Sequence, residues 1–232
     1  MREIVLDTET TGMDPEAGDR LVEIGCIELE NHVPTGRFYH QYINPERDVP
    51  SEAVAVHGLT NEKLKNEPVF SQIYTDFLDF IGDAQLVIHN AAFDMKFLNY
   101  QLQLVGHKPM PMTRATDTLM MARKKFPGSP ANLDALCRRF GIDNSSRTFH
   151  GALLDSELLA EVYLELLGGR QHGLGLGSDN RGSEEIISHM AKRIRVKRDP
   201  RPHEASSAEL EKHKELIGQM KDAIWGWADK DK

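Results

Sequence analysis

Residues 4–12 read IVLDTETTG: three apolar residues, then Asp7 and Glu9 two positions apart. In a strand, residues i and i+2 point to the same face, so the two carboxylates are neighbours. Like charges that close raise one another's pKa unless a cation sits between them. The stretch VIHNAAFDMKFL (87–98) repeats the arrangement, with an apolar strand, His89-Asn90, and Asp94 in the first turn of a helix. Phe97 and Leu98, three and four residues beyond Asp94, place this carboxylate on the core side of its helix. In FHGALLDSELLAEVYLEL (149–166), Asp155 shares a helical stripe with Leu158, Leu159, Val162 and Leu166, and His150 lies at or just before the helix start.

Taken singly, each feature has an ordinary explanation: solvated carboxylates on an edge strand, an Asp complementing a helix dipole, a structural His. Together they put four acids and one imidazole at the ends of apolar elements, where ligand sites of α/β domains collect. Four converging carboxylates repel one another without cations, and hard divalent ions with oxygen ligands are the natural remedy. Two such ions about 3.5–4 Å apart stabilise both the attacking and the leaving oxygen of a phosphoryl displacement. A nearby imidazole takes the proton of the attacking water. The chemistry these residues suit is metal-assisted phosphoryl hydrolysis.

The elements that must position them follow from periodicity. Residues 1–44 read as three strands in an antiparallel meander: REIVLDTE; LVEIGCIELEN (21–31), with Leu21, Glu23, Gly25, Ile27 and Leu29 on one face; and RFYHQYINP (37–45). GDR and PTG are the breaks between them. Phe70, Ile73, Phe77 and Ile81 predict a helix over 70–81. A short strand follows at 85–90, then helices over about 92–104, 117–125, 132–140 and 151–167. Strands, then a helix, a strand and more helices give an α/β domain with a mixed sheet flanked by helices.

The chain of 232 residues, 40% hydrophobic, has material for a sizeable core. No run reaches the ~18 apolar residues of a membrane span. The first residues lead straight into a strand, so no signal peptide is expected. Two cysteines against nine methionines point to a reducing compartment, the cytoplasm. Residues 1–170 carry 16 Lys+Arg against 25 Asp+Glu, and residues 171–232 carry 12 against 11. An acidic domain does not grip nucleic acid by its own surface; metal ions or a partner have to supply positive charge.

Asp7, Glu9, Asp94, His150 and Asp155 resemble, in type, order and spacing, the signature of the DEDDh 3′→5′ exonucleases, over about residues 1–168. The flanking DTETTG, VHGLT, HNAAFD, NLDALC and RTFHGALLDSELLAEVYL are similar to the family's bacterial proofreading branch. The resemblance implies a ribonuclease-H-like exonuclease fold. It implies removal of mismatched 3′-terminal nucleotides from single-stranded or frayed DNA, with release of nucleoside 5′-monophosphates. It further implies two divalent ions, Mg²⁺ or Mn²⁺. Asp7, Glu9 and Asp155 would hold the ion that activates water, Asp7 would bridge to the second, and Asp94 would support that second ion largely through water. His150 would be the general base. Substrate contacts are expected from Asp7, Glu9 and Asp155. They are also expected from Thr10, Gly12 and Met13 in the following turn, and from His57, Asn90 and Phe93. The nearest alternative is an RNA-trimming exonuclease of the RNase T or oligoribonuclease type, against which the long C-terminal tail argues. A non-catalytic bridge of the same fold is the other alternative, and the presence of all five residues argues against it.

The tail divides the chain into an exonuclease domain (1–169), a linker (170–207) and a terminal helix (208–232). GGRQHGLGLGSDNRGS has a flexible linker's composition, with six glycines in sixteen residues. Gln171, Leu174 and Leu176 match the spacing of a weak sliding-clamp motif found in the family's replicative members. The basic run 192–201 reads as a solvated linker face. Leu210, Ile217, Met220, Ile224 and Trp227 form an apolar pattern, with Trp225 beside it, suited to a partner groove. The resemblance names that partner as the alpha subunit of the replicative polymerase, which would deliver the acidic domain to DNA by tethering. A small accessory subunit on the nuclease domain is a further possible partner.

Overall fold

The structure is a computed structural model that describes residues 1–145, 147, 149–169 and 205–220. The chain divides into two units, Met1–Gly175 and Leu176–Lys232. In the first, a five-stranded sheet has the order β3-β2-β1-β4-β5. Its strands are β1 (Arg2–Thr10), β2 (Leu21–Glu30), β3 (Val33–Tyr42), β4 (Gln85–Ile88) and β5 (Ala115–Asp117). β1, β2 and β3 are antiparallel, while β4 and β5 run parallel to β1.

Helices cover both faces. α3 (Phe70–Ile81) and α4 (Ala91–Leu104) pack Phe77, Ile81, Met95 and Leu98 against Ile4, Leu6, Leu86 and Ile88. On the other face, α5 (Thr118–Lys125), α6 (Leu133–Phe140) and α7 (Ala152–Leu167) cover Val5, Leu29 and Val87. Two short helices, α1 (Ser51–His57) and α2 (Asn61–Leu64), close the end of the sheet over Val22. Both cysteines are free and buried. No described helix is long and apolar enough to cross a membrane.

The mixed α/β architecture agrees with the sequence reading; several local expectations do not. The β2–β3 break is at Asn31-His32, both with positive φ, and not at PTG, which lies inside β3. Polar Asn and a short His tolerate that conformation in a two-residue hairpin. β2 does not present one buried face: both faces are buried, because the sheet lies between helical layers. A register shift next to Glu9, where Thr10 pairs with Leu21, moves Leu21 to the face of Ile24 and Cys26. β5 replaces the start of the helix expected from 117, and α1 and α2 were not foreseen.

In the second unit, α8 (Ser207–Gln219) starts at a capping box: Ser206 N–H donates to Glu209 Oε2 at 2.8 Å, and Glu209 N–H to Ser206 Oγ at 3.4 Å. Leu210 and Met220 are about half exposed. Met220, at the C-cap of α8, has extended backbone. Ile224, Trp225 and Trp227, together with the clamp-like Gln171, Leu174 and Leu176, lie outside the described residues.

Candidate active site

β1 outruns its parallel neighbour. Glu3–Val5 pair with Gln85–Val87, but β4 stops at Ile88 while β1 continues to Thr10. The freed edge receives the turn into α4. Asn90, in a left-handed conformation that suits Asn, donates its N–H to Asp117 Oδ1 at 3.2 Å, and α4 begins at Ala91. Asp94, buried in the first turn of α4, accepts a 2.7 Å bond from Thr8 Oγ1.

Asp7 and Glu9 lie on the opposite face from Thr8, the face that α7 covers. α7 approaches that closely because of Gly25, which pairs with Asp7 across the ladder. A Cβ on Gly25 would lie 2.2 Å from the Ala152 carbonyl carbon and 2.3 Å from the Leu153 nitrogen. Ser156 Oγ donates to Gly25 O at 2.9 Å and fixes the docking. One turn of that helix then places Asp155 beside the two carboxylates.

A cavity of about 420 Å³ is lined by Asp7, Glu9, Asp94, His150 and Asp155, and also by Asn90 and Phe93. Ligand atoms of Glu9, His150 and Asp155 all lie within 4.8 Å of one another. A second cavity, about 560 Å³, shares Thr8, Glu9 and Phe93 with the first and adds Thr10, Gly12, Met13 and His57. Every substrate contact expected from sequence therefore lines one of two adjoining cavities.

The turn after β1 is shaped by Asp19, which the sequence did not single out. Its carboxylate accepts from Thr11 Oγ1 at 3.2 Å and Asp14 N–H at 3.0 Å, and pairs with Arg47 at 3.0 Å. A Cβ on Gly12 would run into it at 2.3 Å. Met13 is 77% exposed beside this turn, a free apolar side chain rather than core. His57 Nδ1 accepts the Leu59 N–H at 3.0 Å, which leaves the proton on Nε2. That Nε2 is buried without a hydrogen-bond partner among the described residues.

The electrostatics are those of a crowded anionic site. Desolvation, and then repulsion from Asp155, Glu23 and Asp94, push Glu9 up to about 8. Asp94 rises to about 7, chiefly by desolvation. Asp7 is raised well above the carboxylate range by the same desolvation and by Asp94, Glu9 and Asp155. Asp155 alone is lowered: burial pushes it upward, but the neighbouring His150 imidazole and the Arg147 guanidinium, which donates to both its oxygens, outweigh that. Glu23, opposite Glu9 on β2, is also buried and is met by His40 at 2.7 Å.

Such a donor set fits a hard divalent ion, which would relieve the repulsion. Without metal, Glu9 and Asp94 keep protons in the folded protein that the unfolded chain has lost above about pH 4. The folded state binds the extra protons up to about pH 8. Stability of the metal-free protein therefore falls as pH rises through that window. Thermal melting in EDTA should move to lower temperature between about pH 5 and pH 8; a flat or rising profile would contradict this account.

Solved exonuclease structures share this architecture. The nuclease domain of 3′hExo, a DEDDh family member bound to rAMP, aligns over 72% of this chain and 91% of its own, with a TM-score of 0.60 and 22% identity. Exonuclease X in complex with 5′ overhanging duplex DNA aligns over 71% and 90%, with a TM-score of 0.55 and 21% identity. These likenesses show the fold, the one that ribonuclease-H-like exonuclease domains share. Sequence narrows it. The RNase_T exonuclease family matches residues 4–163. DNA polymerase III subunit epsilon of Rickettsia felis is 49% identical over 223 residues, covering 95% of this chain and 97% of that protein. The epsilon subunit of Escherichia coli K12 is 49% identical over 177 residues, 73% of this chain and 72% of its own. The chain belongs to the RNase_T exonuclease family and, within it, to the DNA polymerase III epsilon subunits. The activity of that family is proofreading 3′→5′ exonucleolysis.

Proposed function

We propose that the chain removes mismatched 3′-terminal nucleotides from DNA made by DNA polymerase III, with Asp7, Glu9, Asp94 and Asp155 as ligands of two divalent ions, Mg²⁺ or Mn²⁺. The observation that carries this reading is the convergence of the four carboxylates and His150 on one cavity beside a second of nucleotide size. When bound, the ions supply the charge that activates water and stabilises the leaving oxygen. The chain's own residues do the rest. His150 takes the proton of the attacking water. Thr8 holds the Asp94 carboxylate in one orientation. The His57 Nε2–H and the turn at Thr10–Met13 receive the terminal nucleotide, with Phe93 between the cavities.

The test is digestion of a 3′-labelled primer, matched and mismatched, beside an RNA oligomer, with Mg²⁺ and with EDTA. Metal-dependent trimming of mismatched DNA is the expected result. A preference for RNA would move the assignment to RNA trimming. At saturating Mg²⁺, His150→Ala should slow single-stranded DNA cleavage by roughly 10²–10⁴-fold, the range of general base catalysis. Full activity in that variant would remove His150 from the role. His57→Ala should raise KM for single-stranded DNA several-fold through the lost hydrogen bond. An unchanged KM would place the substrate elsewhere.

The partners belong to the same proposal. Residues 208–232 dock on the DNA polymerase III alpha subunit, and Gln171, Leu174 and Leu176 make a weak contact with the sliding clamp. Support for the first is the pair of half-exposed apolar residues Leu210 and Leu216 on α8. Co-elution of the full chain with alpha, weakened by Leu210→Ala with Ile217→Ala, tests it. A Gln171→Ala, Leu174→Ala variant that binds clamp like the parent would dismiss the second.

A further inference from the structure

One strong cation, Arg147, lines the acidic cavity, and no step of the proposed reaction needs it. Arg147 has a side chain only 7% exposed. Its guanidinium forks onto Asp155: Nε donates to Oδ1 at 2.6 Å and Nη2 to Oδ2 at 2.5 Å. Nη1 donates to Asp134 Oδ1 at 2.8 Å, and Nη2 also lies 2.8 Å from His150 Nδ1. One side chain thus occupies both oxygens of a carboxylate assigned to metal and the ring nitrogen that faces it. His150 Nδ1 is 3.5 Å from Asp155 Oδ2, so the imidazole, the carboxylate and the guanidinium form a closed triangle. Asp134, 41% exposed at the start of α6, is a second and separate anchor. It also accepts from Asn144 Nδ2 at 3.0 Å and so keeps its place independently of Arg147.

A bidentate guanidinium and a hard ion want the same lone pairs of a carboxylate, and each is weakened by the other's charge. Asp134 gives the guanidinium somewhere to remain once Asp155 is taken. We infer that Arg147 is a resident counter-cation which a divalent ion displaces from Asp155, so that metal loading also uncovers His150 Nδ1. This rests on the reading of the four carboxylates as metal ligands. Arg147 is then a positioning residue. It holds the metal-free site together and is withdrawn toward Asp134 in the loaded one. The competing role, a permanent brace that orients Asp155 for the metal, makes the opposite prediction for affinity.

The experiment uses the full chain and reads metal binding directly, by electron paramagnetic resonance of free Mn²⁺ and by calorimetry with Mg²⁺. Arg147→Gln should bind Mn²⁺ more tightly than the parent, on the order of tenfold. Arg147→Lys, which keeps the charge without the fork, should fall between them. Melting in EDTA should drop in Arg147→Gln, and the gain on adding Mn²⁺ should grow. Equal or weaker Mn²⁺ affinity in Arg147→Gln overturns the inference in favour of the brace. A second measurement needs no variant. In the ¹⁵N-labelled parent, the Arg147 Nε–H resonance should shift and lose exchange protection as Mg²⁺ saturates the site. A resonance that stays fixed through saturation overturns the inference as well. Absence of any saturable metal binding by the parent would overturn the ligand assignment and this inference together. Saturable binding that Arg147→Gln leaves unimproved would overturn this inference alone.

Discussion

Asp7→Asn should lower mismatched-primer cleavage about a thousandfold or more, and at the same time raise the melting temperature of the EDTA-treated protein near pH 8. The loss follows from the position of Asp7 among the carboxylates. Metal charge stabilisation is worth several kcal/mol in the transition state, and each 1.36 kcal/mol is tenfold in rate. The gain has a different origin. Asp7 is pushed upward by desolvation and by three neighbouring carboxylates, so its ionised form strains the metal-free fold. Asn has nearly the same shape and no charge. The stabilisation should shrink toward pH 5, where the cluster is largely protonated. A variant that loses activity and also melts lower at pH 8 would mean that Asp7 is held by favourable contacts and not strained by repulsion. A variant that keeps parental activity would remove Asp7 from the metal site.

Gly25→Ala carries the second large effect although it touches no substrate. The added methyl would meet the backbone of Ala152 and Leu153 at 2.2–2.3 Å. Backbone cannot swing away as a side chain can, so α7 as a whole must move by about 1 Å, with overpacking costs of roughly 1–3 kcal/mol. Melting should fall by several degrees. Because Asp155 lies on α7 and His150 just ahead of it, a shift of that size should cost on the order of 10² in rate. Ala152→Gly should not rescue the double variant, since the obstruction is main chain. Parental melting and rate in Gly25→Ala would show that α7 is not clamped here.

Helices α3, α4, α6 and α7 were legible because each repeats apolar residues at spacings of three and four over two turns or more. β1 and β4 were legible as short apolar runs. α1 and α2 were not, since four to seven residues give no period to read, and β5 has three residues flanked by polar ones. The hairpin at Asn31-His32 hid because no glycine marks it. The convergence of Asp7, Glu9, Asp94, His150 and Asp155 on one cavity was legible from their spacing, because each sits at the end of an element whose buried face is unambiguous. Arg147 was missed: no apolar rhythm surrounds it, and a lone cation in a polar stretch reads as surface. The available signal was its place three residues before His150 and eight before Asp155, a single positive charge inside an otherwise anionic motif. Asp19 and Glu23 were missed for a related reason, as their work is local hydrogen bonding that spacing does not reveal.

The last helix of the nuclease unit carries a consequence for how the protein is made. Ser156 reaches back 131 residues to Gly25, and Tyr163 reaches back 160 residues to Glu3, whose carboxylate takes its hydroxyl at 2.7 Å. Contacts this distant in sequence form late and slow folding. On the ribosome, the strands and α3 emerge long before α7, with Val5, Leu29 and Val87 still uncovered on one side of the sheet. Until α7 docks, the nascent chain has no complete acidic pocket and so no nuclease to release. It also presents an apolar sheet face to its neighbours during that interval, the kind of surface that chaperones exist to shield.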